Sequence, residues 1–250
     1  MTPGAIIEAV QILCDARSCG PTLDAFPEAC RPMSLAEAHA IQAATALRLG
    51  EAIAGWKVGA TPDGGVARGA LLRSRIYETG AHVASDAVPL LGIEAEIAFR
   101  FERDMPPRGR AYAYEEVADA VVAVPAIEIV DSRFRSYPAA PLLDRIADCM
   151  SNGAFVQGRA ESQWRSFDLA QADVELAFDG QVIVRRTGGH PTKDPLLPAV
   201  ALVNDLRTET GIVAGQIVTT GTYTGINYAK PGQTVVATFH GVGAVRVTFG

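Results

Sequence analysis

Two short apolar runs carry three carboxylates where carboxylates are costly: Ile93-Glu94-Ala95-Glu96-Ile97 and Ala126-Ile127-Glu128-Ile129. Side chains alternate between the faces of a strand, so Glu94 and Glu96 project to one side and Ile93, Ala95 and Ile97 to the other. Glu128 sits the same way between Ile127 and Ile129. An ionised carboxylate in a dry site needs a positive partner, and no regular cationic partner stands near these three in sequence. Oxygen-only ligation of a hard divalent cation, Mg2+, Mn2+ or Ca2+ in preference to zinc, meets that need. A Glu-x-Glu pair alone also reads as the solvated face of an edge strand. Glu128, a third carboxylate on a second apolar strand, does not fit that plainer reading.

Other residues add candidate chemistry. Gly55-Trp56-Lys57-Val58-Gly59 sets one lysine in a small, apolar, glycine-flanked strand. Its functional reading is a general acid/base, or a cation facing a substrate carboxylate, with a pKa lowered by burial or by a metal. Its plainer reading is a surface lysine with a snorkelling stem. Asp144 to Gly153 is polar and turns abruptly apolar at Ala154-Phe155-Val156, which reads as a site loop leading into a strand or as an ordinary turn. Thr219-Thr220-Gly221-Thr222-Tyr223-Thr224-Gly225 ends a strand with hydroxyls and glycines, suited to close approach of a small ligand. His190 follows two glycines and precedes Pro191, in a loop positioned to face a cleft, while His39, His82 and His240 read as structural or surface residues. No G-x-S-x-G elbow and no G-x-G-x-x-G loop occurs, so neither an esterase-type nucleophile nor a nucleotide cofactor has support.

The elements that must position these residues are mostly strands. The chain opens with a helix from Thr2-Pro3 to about Arg17, broken at Gly20-Pro21, and a second from the capping box Ser34-Leu35-Ala36-Glu37 to Leu49, stopped by Gly50. This amino-terminal segment, residues 1–52, reads as a cap on the main body, residues 53–250. Strands are expected over 54–59, 82–84, 92–101, 126–131, 154–157, 173–178, 181–186, 216–220, 233–239 and 243–249, with Asp179-Gly180 as a tight hairpin turn. Tyr114 to Val122 reads as a helix. A last helix opens at Asp194-Pro195, with Leu196, Leu197, Val200, Val203 and Leu206 facing inward and Gly211 as its stop. Strands outnumber helices without alternating with them, which predicts a mixed or mainly antiparallel α+β fold.

Composition excludes several classes. The 250 residues are 48% hydrophobic and 20% charged, ordinary for a globular chain whose core needs no disulfide staple. Net charge is −6, and the 22 Lys and Arg are scattered, so no nucleic-acid surface is expected. The four cysteines match neither a zinc pattern nor a disulfide framework. No signal peptide or spanning apolar run stands out, which makes the cytoplasm the expected location and gives no membrane partner.

Taken in order, these pieces resemble the fumarylacetoacetate hydrolase superfamily, and within it the branch of 2-oxopent-4-enoate hydratases and 2-oxo-3-enoate decarboxylases. The likeness is carried by Gly55 to Gly59, Ile93 to Ala98, Pro125 to Glu128 with Ser132-Arg133, Ala147-Asp148 with Ser151 and Gly153, Gly189-His190-Pro191, Gly215 to Val218 with Gly221, and Gly241 to Phe249. It implies a β-roll-like mixed core with Mg2+ or Mn2+ on Glu94, Glu96 and Glu128, and small 2-oxo acid substrates. It also implies a catalytic Lys57 and Asp148, with Ser151 bordering the substrate pocket; Thr220 of the hydroxyl-and-glycine loop and Arg73 are further candidate substrate contacts read from this sequence itself. The family's acidic turn after the first strand is replaced here by Leu71-Leu72-Arg73-Ser74-Arg75, whose arginines suit a second substrate carboxylate. Hydration of a 2-hydroxy-2,4-dienoate is the leading expectation. Decarboxylation of a 2-oxo-3-enedioate, hydrolysis of an acylpyruvate, and a non-catalytic subunit that keeps the fold stand as alternatives. Homo-oligomers are expected by analogy.

Overall fold

The computed structural model describes residues 1–19, 23–61 and 64–250; the expected break at Gly20-Pro21 lies outside the described residues. Two helices come first, α1 (Pro3–Cys19) and α2 (Leu35–Arg48). Thr2 accepts the Ala5 N–H at 3.2 Å to open α1. Ser34 accepts the Glu37 N–H at 3.2 Å to open α2, while the Glu37 carboxylate reaches past Ser34 to the Met33 N–H and the amino terminus. Strands β1 (Ile53–Ala60), β2 (Val66–Leu72), β3 (Ile76–Glu78), β4 (Ala81–Val83) and β5 (Gly92–Phe101) follow. Then come α3 (Tyr114–Ala118), β6 (Val121–Val130), α4 (Leu142–Ala147), β7 (Asn152–Gln157), β8 (Asp173–Phe178) and β9 (Gln181–Thr187). The chain ends with α5 (Leu196–Leu206), β10 (Ile217–Thr222), β11 (Asn227–Tyr228), β12 (Thr234–Phe239) and β13 (Gly243–Phe249).

Two sheets form. The larger runs β2-β1-β10-β5-β6-β7-β3 with β11 beside β5, and the smaller runs β4-β13-β12-β8-β9. Most neighbours are antiparallel; β1–β10, β3–β7 and β4–β13 are parallel. This is the expected β-rich α+β fold with amino-terminal helices. The alternation of β5 decides its two faces. Ile93, Ala95 and Ile97 are wholly buried in the main core, with Ile127 and Ile129 of β6, Val235 and Ala237 of β12, and Val245 and Val247 of β13. The opposite face is floored by Leu71, Ala98, Val124, Ala126, Phe155 and Ile217. A separate apolar cluster joins α1 and α2 to α4 through Leu13, Phe26, Ile41, Phe134 and Ile146.

Several expectations are corrected. Tyr114 to Val122 is not one helix: α3 ends at Ala118, and Val121 already belongs to β6, whose first half is an apolar run buried on both faces. Such runs carry no period to separate strand from helix. Residues 66–72 and 76–78, which have no clear alternation, are strands. Asp144 to Gly153 is not a simple loop, since α4 occupies its first part. Leu197 is exposed, and Ala199 and Leu202 take inward places on α5.

Candidate active site

Register brings the glutamates together. Glu94 of β5 lies directly opposite Glu128 of β6, and Glu96 follows two residues along on the same face. One oxygen from each carboxylate lies within 4.8 Å of the others. Glu96 and Glu128 are buried and Glu94 is nearly so. Lys57 enters from β1, with Nζ 2.9 Å from Glu128 Oε2 and 3.7 Å from Glu94 Oε2. The cationic partner missing from the local sequence is therefore supplied by another strand. The lowered lysine pKa expected from sequence is also corrected. Burial alone would lower it, but the charges of Glu128, Glu94 and Glu96 outweigh burial and raise it, so Lys57 is held as an ammonium.

Neighbouring groups fix the carboxylates. Asn152 Nδ2 donates to Glu128 Oε1 at 3.1 Å and to the Ala154 carbonyl at 3.3 Å. Thr219 Oγ1 donates to Glu96 Oε2, which also accepts the Gly221 N–H at 3.1 Å. An irregularity of β10 between Thr219 and Thr222, with Gly221 at φ 125°, turns that N–H toward the carboxylate. Burial, followed by the charges of Glu128 and Glu94, pushes Glu96 up to about 8, and burial raises Glu94 as well. Three crowded carboxylates with raised pKa values are a site that a dication relieves. Their all-oxygen donor set fits Mg2+, Mn2+ or Ca2+ and gives zinc no nitrogen or sulfur ligand.

A left-handed turn closes over the lysine strand. Cys149, Met150 and Ser151 have φ of 54°, 53° and 59°, three successive non-glycine residues in a region that usually admits them singly. A Cβ on Gly69, which pairs with Lys57, would meet the Cys149 carbonyl at 2.4 Å and Met150 Cβ at 2.9 Å; one on Gly59 would meet Met150 Cε at 3.3 Å. Both glycines are spaces into which the turn packs. Asp148, wholly buried, anchors it: Oδ1 accepts from Arg133 Nε at 2.6 Å and Arg17 Nη2 at 3.1 Å, and Oδ2 accepts the Arg133 N–H at 3.1 Å.

The other sequence candidates fall in different places. Ser151 is fully buried, and its hydroxyl has no hydrogen-bond partner among the described residues. Thr220 donates to the Ile97 carbonyl at 3.3 Å, on the side of β10 away from the Thr219 hydroxyl. Arg73 is exposed in the short turn Arg73–Arg75, and that turn carries Arg75 toward Arg17 and Arg133. His190 is buried against Tyr223, ring centroids 5.2 Å apart, with Nδ1 accepting the Thr192 N–H at 3.3 Å. The sequence names Asn152 and Thr219 only within candidate loops, without a role of their own, and does not point to Tyr137. Burial raises the Tyr137 phenol, which lies in the field of Lys57, Glu94, Glu128 and Arg145. A strand count placing Thr219 on the Lys57 side would have singled it out; nothing in the sequence marks Tyr137.

This carboxylate-and-lysine face on a two-sheet α+β body defines a metal-dependent enzyme fold, and comparison with known proteins gives its family. Residues 74–249 match the fumarylacetoacetate (FAA) hydrolase C-terminal family, and the chain belongs to it. It is 32% identical over 247 residues to a 2-keto-4-pentenoate hydratase of Burkholderia vietnamiensis, covering 94% of each chain. It is 31% identical over 264 residues to a 2-hydroxyhexa-2,4-dienoate hydratase of Comamonas testosteroni, covering 96% of this chain and 94% of the relative. The fold matches that of 4-oxalocrotonate decarboxylase from Pseudomonas putida G7, a structure complexed with magnesium and adipate. There the TM-score is 0.85 at 23% identity, over 100% of this chain and 98% of the other. Among the described residues no helix is long and apolar enough to cross a membrane.

Proposed function

We propose that the protein is a divalent-metal-dependent hydro-lyase that adds water to a small 2-hydroxy-2,4-dienoate to give a 4-hydroxy-2-oxo acid. The observation that carries this reading is the cluster of Glu94, Glu96 and Glu128 with Lys57 at 2.9 Å, in a chain whose hydratase relatives align over nearly its whole length. Glu94, Glu96 and Glu128 would hold Mg2+ or Mn2+, which supplies a Lewis acid for the carboxylate and 2-oxo oxygens of the substrate.

The chain's own groups do the rest. Lys57 Nζ holds positive charge beside the substrate and is the group placed to pass a proton to the terminal carbon of the diene as the 2-hydroxyl gives up its own; water then adds its hydroxyl to C4 of the resulting 2-oxo-3-enoate and its proton to C3. The Tyr137 phenol stays protonated and serves as a hydrogen-bond donor at the same face. Asp148 is spent on Arg133 and Arg17, so its part is to position the turn that carries Met150 and Ser151. Ser151 Oγ, buried with no partner among the described residues, is free to receive a polar substrate group. Among the described residues Thr220 and Arg73 make no bond to the glutamates.

Residues 1–52 act as a cap carried by the catalytic body 53–250. We place the protein in the cytoplasm as a homo-oligomer, on the ground that the family's simple acid chemistry needs neither membrane nor nucleic acid.

The test is loss of diene absorbance when purified protein is mixed with Mg2+ and 2-hydroxypenta-2,4-dienoate. A second reading, decarboxylation, is favoured by the fold match over the entire chain to 4-oxalocrotonate decarboxylase. It predicts CO2 release from 2-oxo-3-hexenedioate and no hydration of the five-carbon diene.

A further inference from the structure

The turn that replaces the family's acidic residues delivers Arg75 into a cavity of about 430 Å3 that Arg17, Arg133, Asp131, Asp86 and Gly153 also line. Three guanidinium groups meet there, and their hydrogen bonds are unevenly filled. Arg133 is largely engaged: besides Asp148 it reaches Asp131 Oδ2 at 3.2 Å and the Asn152 carbonyl at 3.0 Å. Arg17 uses Nη2 on Asp148 and on Cys149 Sγ, 3.6 Å away, while its buried Nε–H has no acceptor among the described residues. Arg75 makes no ion pair or side-chain hydrogen bond among the described residues.

The counter-charge is committed elsewhere. Asp148 is shared between Arg133 and Arg17, and Asp131 is divided between Arg133 and the Leu90 N–H at 3.1 Å. Asp86 is exposed on the rim. Arg17, Arg75 and Arg133 thus line the cavity with Asp131 buried and Asp86 at the exposed rim, while Asp148 lies behind it. Burial, then the nearby Arg133, and further out Arg75, lower the pKa of Arg17, as expected of a guanidinium short of counter-charge.

We propose that Arg17 and Arg75 form an oxyanion-binding site, separate from the glutamate cluster, that takes a carboxylate or phosphate-like group between α1, the 73–75 turn and the loop before β5. A tetrahedral or planar oxyanion supplies the acceptors that the fork of Arg75 lacks and a counter-charge for Arg17 at once, the pairing guanidinium geometry favours. The cavity shares no lining residue with Lys57, Glu94, Glu96 or Glu128. It is nevertheless one residue away, because Arg133 holds the Asn152 carbonyl while the Asn152 amide holds Glu128. The inference stands whichever reaction the glutamates serve.

Calorimetric titration of the Mg2+-loaded protein with sodium sulfate, chloride exchanged to hold ionic strength constant, tests it. The expected result is one saturable site per chain, weakened at least tenfold in Arg75→Gln and unchanged in Arg73→Gln on the same turn. Arg75 is the chosen position because it makes no internal bond whose loss would unfold the protein. Metal-free protein, prepared by dialysis, is expected to bind sulfate within twofold of the Mg2+-loaded protein. Equal binding by Arg75→Gln, binding too weak to saturate, or loss of sulfate binding with the metal would each overturn the proposal, the last by placing the ion on the metal face.

Discussion

Lys57 balances the charge of three glutamates that lie on strands far from it in sequence, and this pairing shapes what each residue contributes. Glu128→Gln removes the acid that faces both Glu94 and the lysine; divalent-metal affinity measured by calorimetry is expected to fall at least tenfold, and turnover with it. Lys57→Met removes the ammonium but none of the carboxylates. It is expected to leave metal binding intact while lowering kcat by about 100-fold or more, the usual scale of a lost proton-transfer group. A variant that lost metal and activity together would make Lys57 a structural counter-ion only. The glutamates were legible in the sequence because an acid flanked by Ile and Ala on an apolar strand is anomalous. The lysine's partners were not, because they depend on the order of strands in the sheet. Asn152 and Tyr137 carry no local anomaly at all.

At the level of elements, periodicity located most strands, including the full extent of β5 and β13, and failed where a second constraint overrode it. The β2 run Val66-Ala67-Arg68-Gly69-Ala70 lacks alternation because Gly69 makes room for the Cys149 carbonyl and Arg68 is buried with its fork on Asp205 and Glu209. Gly69→Ala is therefore expected to cost about 1–3 kcal/mol, the range for overpacking, read from the denaturant midpoint. It should also lower activity by lifting the turn that carries Met150 over Lys57. The capping box of α2 was readable from Ser34 and Glu37 alone, and Ser34→Ala is expected to cost about 1 kcal/mol by the same measurement. The α3 misreading has a plain cause: Val121 to Pro125 is apolar on both faces, and helix and strand bury such a run equally well.

For the molecule as a whole, stability depends on the cap as well as the sheets. Leu13, Phe26 and Ile41 pack with Phe134 and Ile146 of the body, so a chain beginning at residue 53 would bare that surface. Such a fragment is expected to aggregate on expression rather than to retain metal binding. Acid sensitivity has a traceable source outside the metal face. Burial, with Arg68 second, pushes His39 down to about 4, against an unfolded value near 6.5. As pH falls through that window the unfolded chain takes up a proton that the folded chain refuses, so stability is lost between about pH 6.5 and 4. The loss is on the order of 1–2 kcal/mol for a partly solvated ring. In His39→Gln the denaturation midpoint should fall less steeply over that interval; an unchanged slope would remove His39 from the account.

The position of β10 carries a consequence for the order of events during synthesis. It lies between β1 and β5, yet it is made almost 90 residues after Glu128, and it brings the hydroxyl and amide that hold Glu96. A nascent chain that has emerged through Glu128 owns every acidic ligand and the lysine, but the gap that separates their strands is still unfilled. Closing that gap requires contacts distant in sequence, which form slowly. Assembly of the metal face is thus deferred until the carboxy-terminal strands arrive, and a ribosome stalled before residue 217 yields a polypeptide with all the chemistry encoded and none of it assembled.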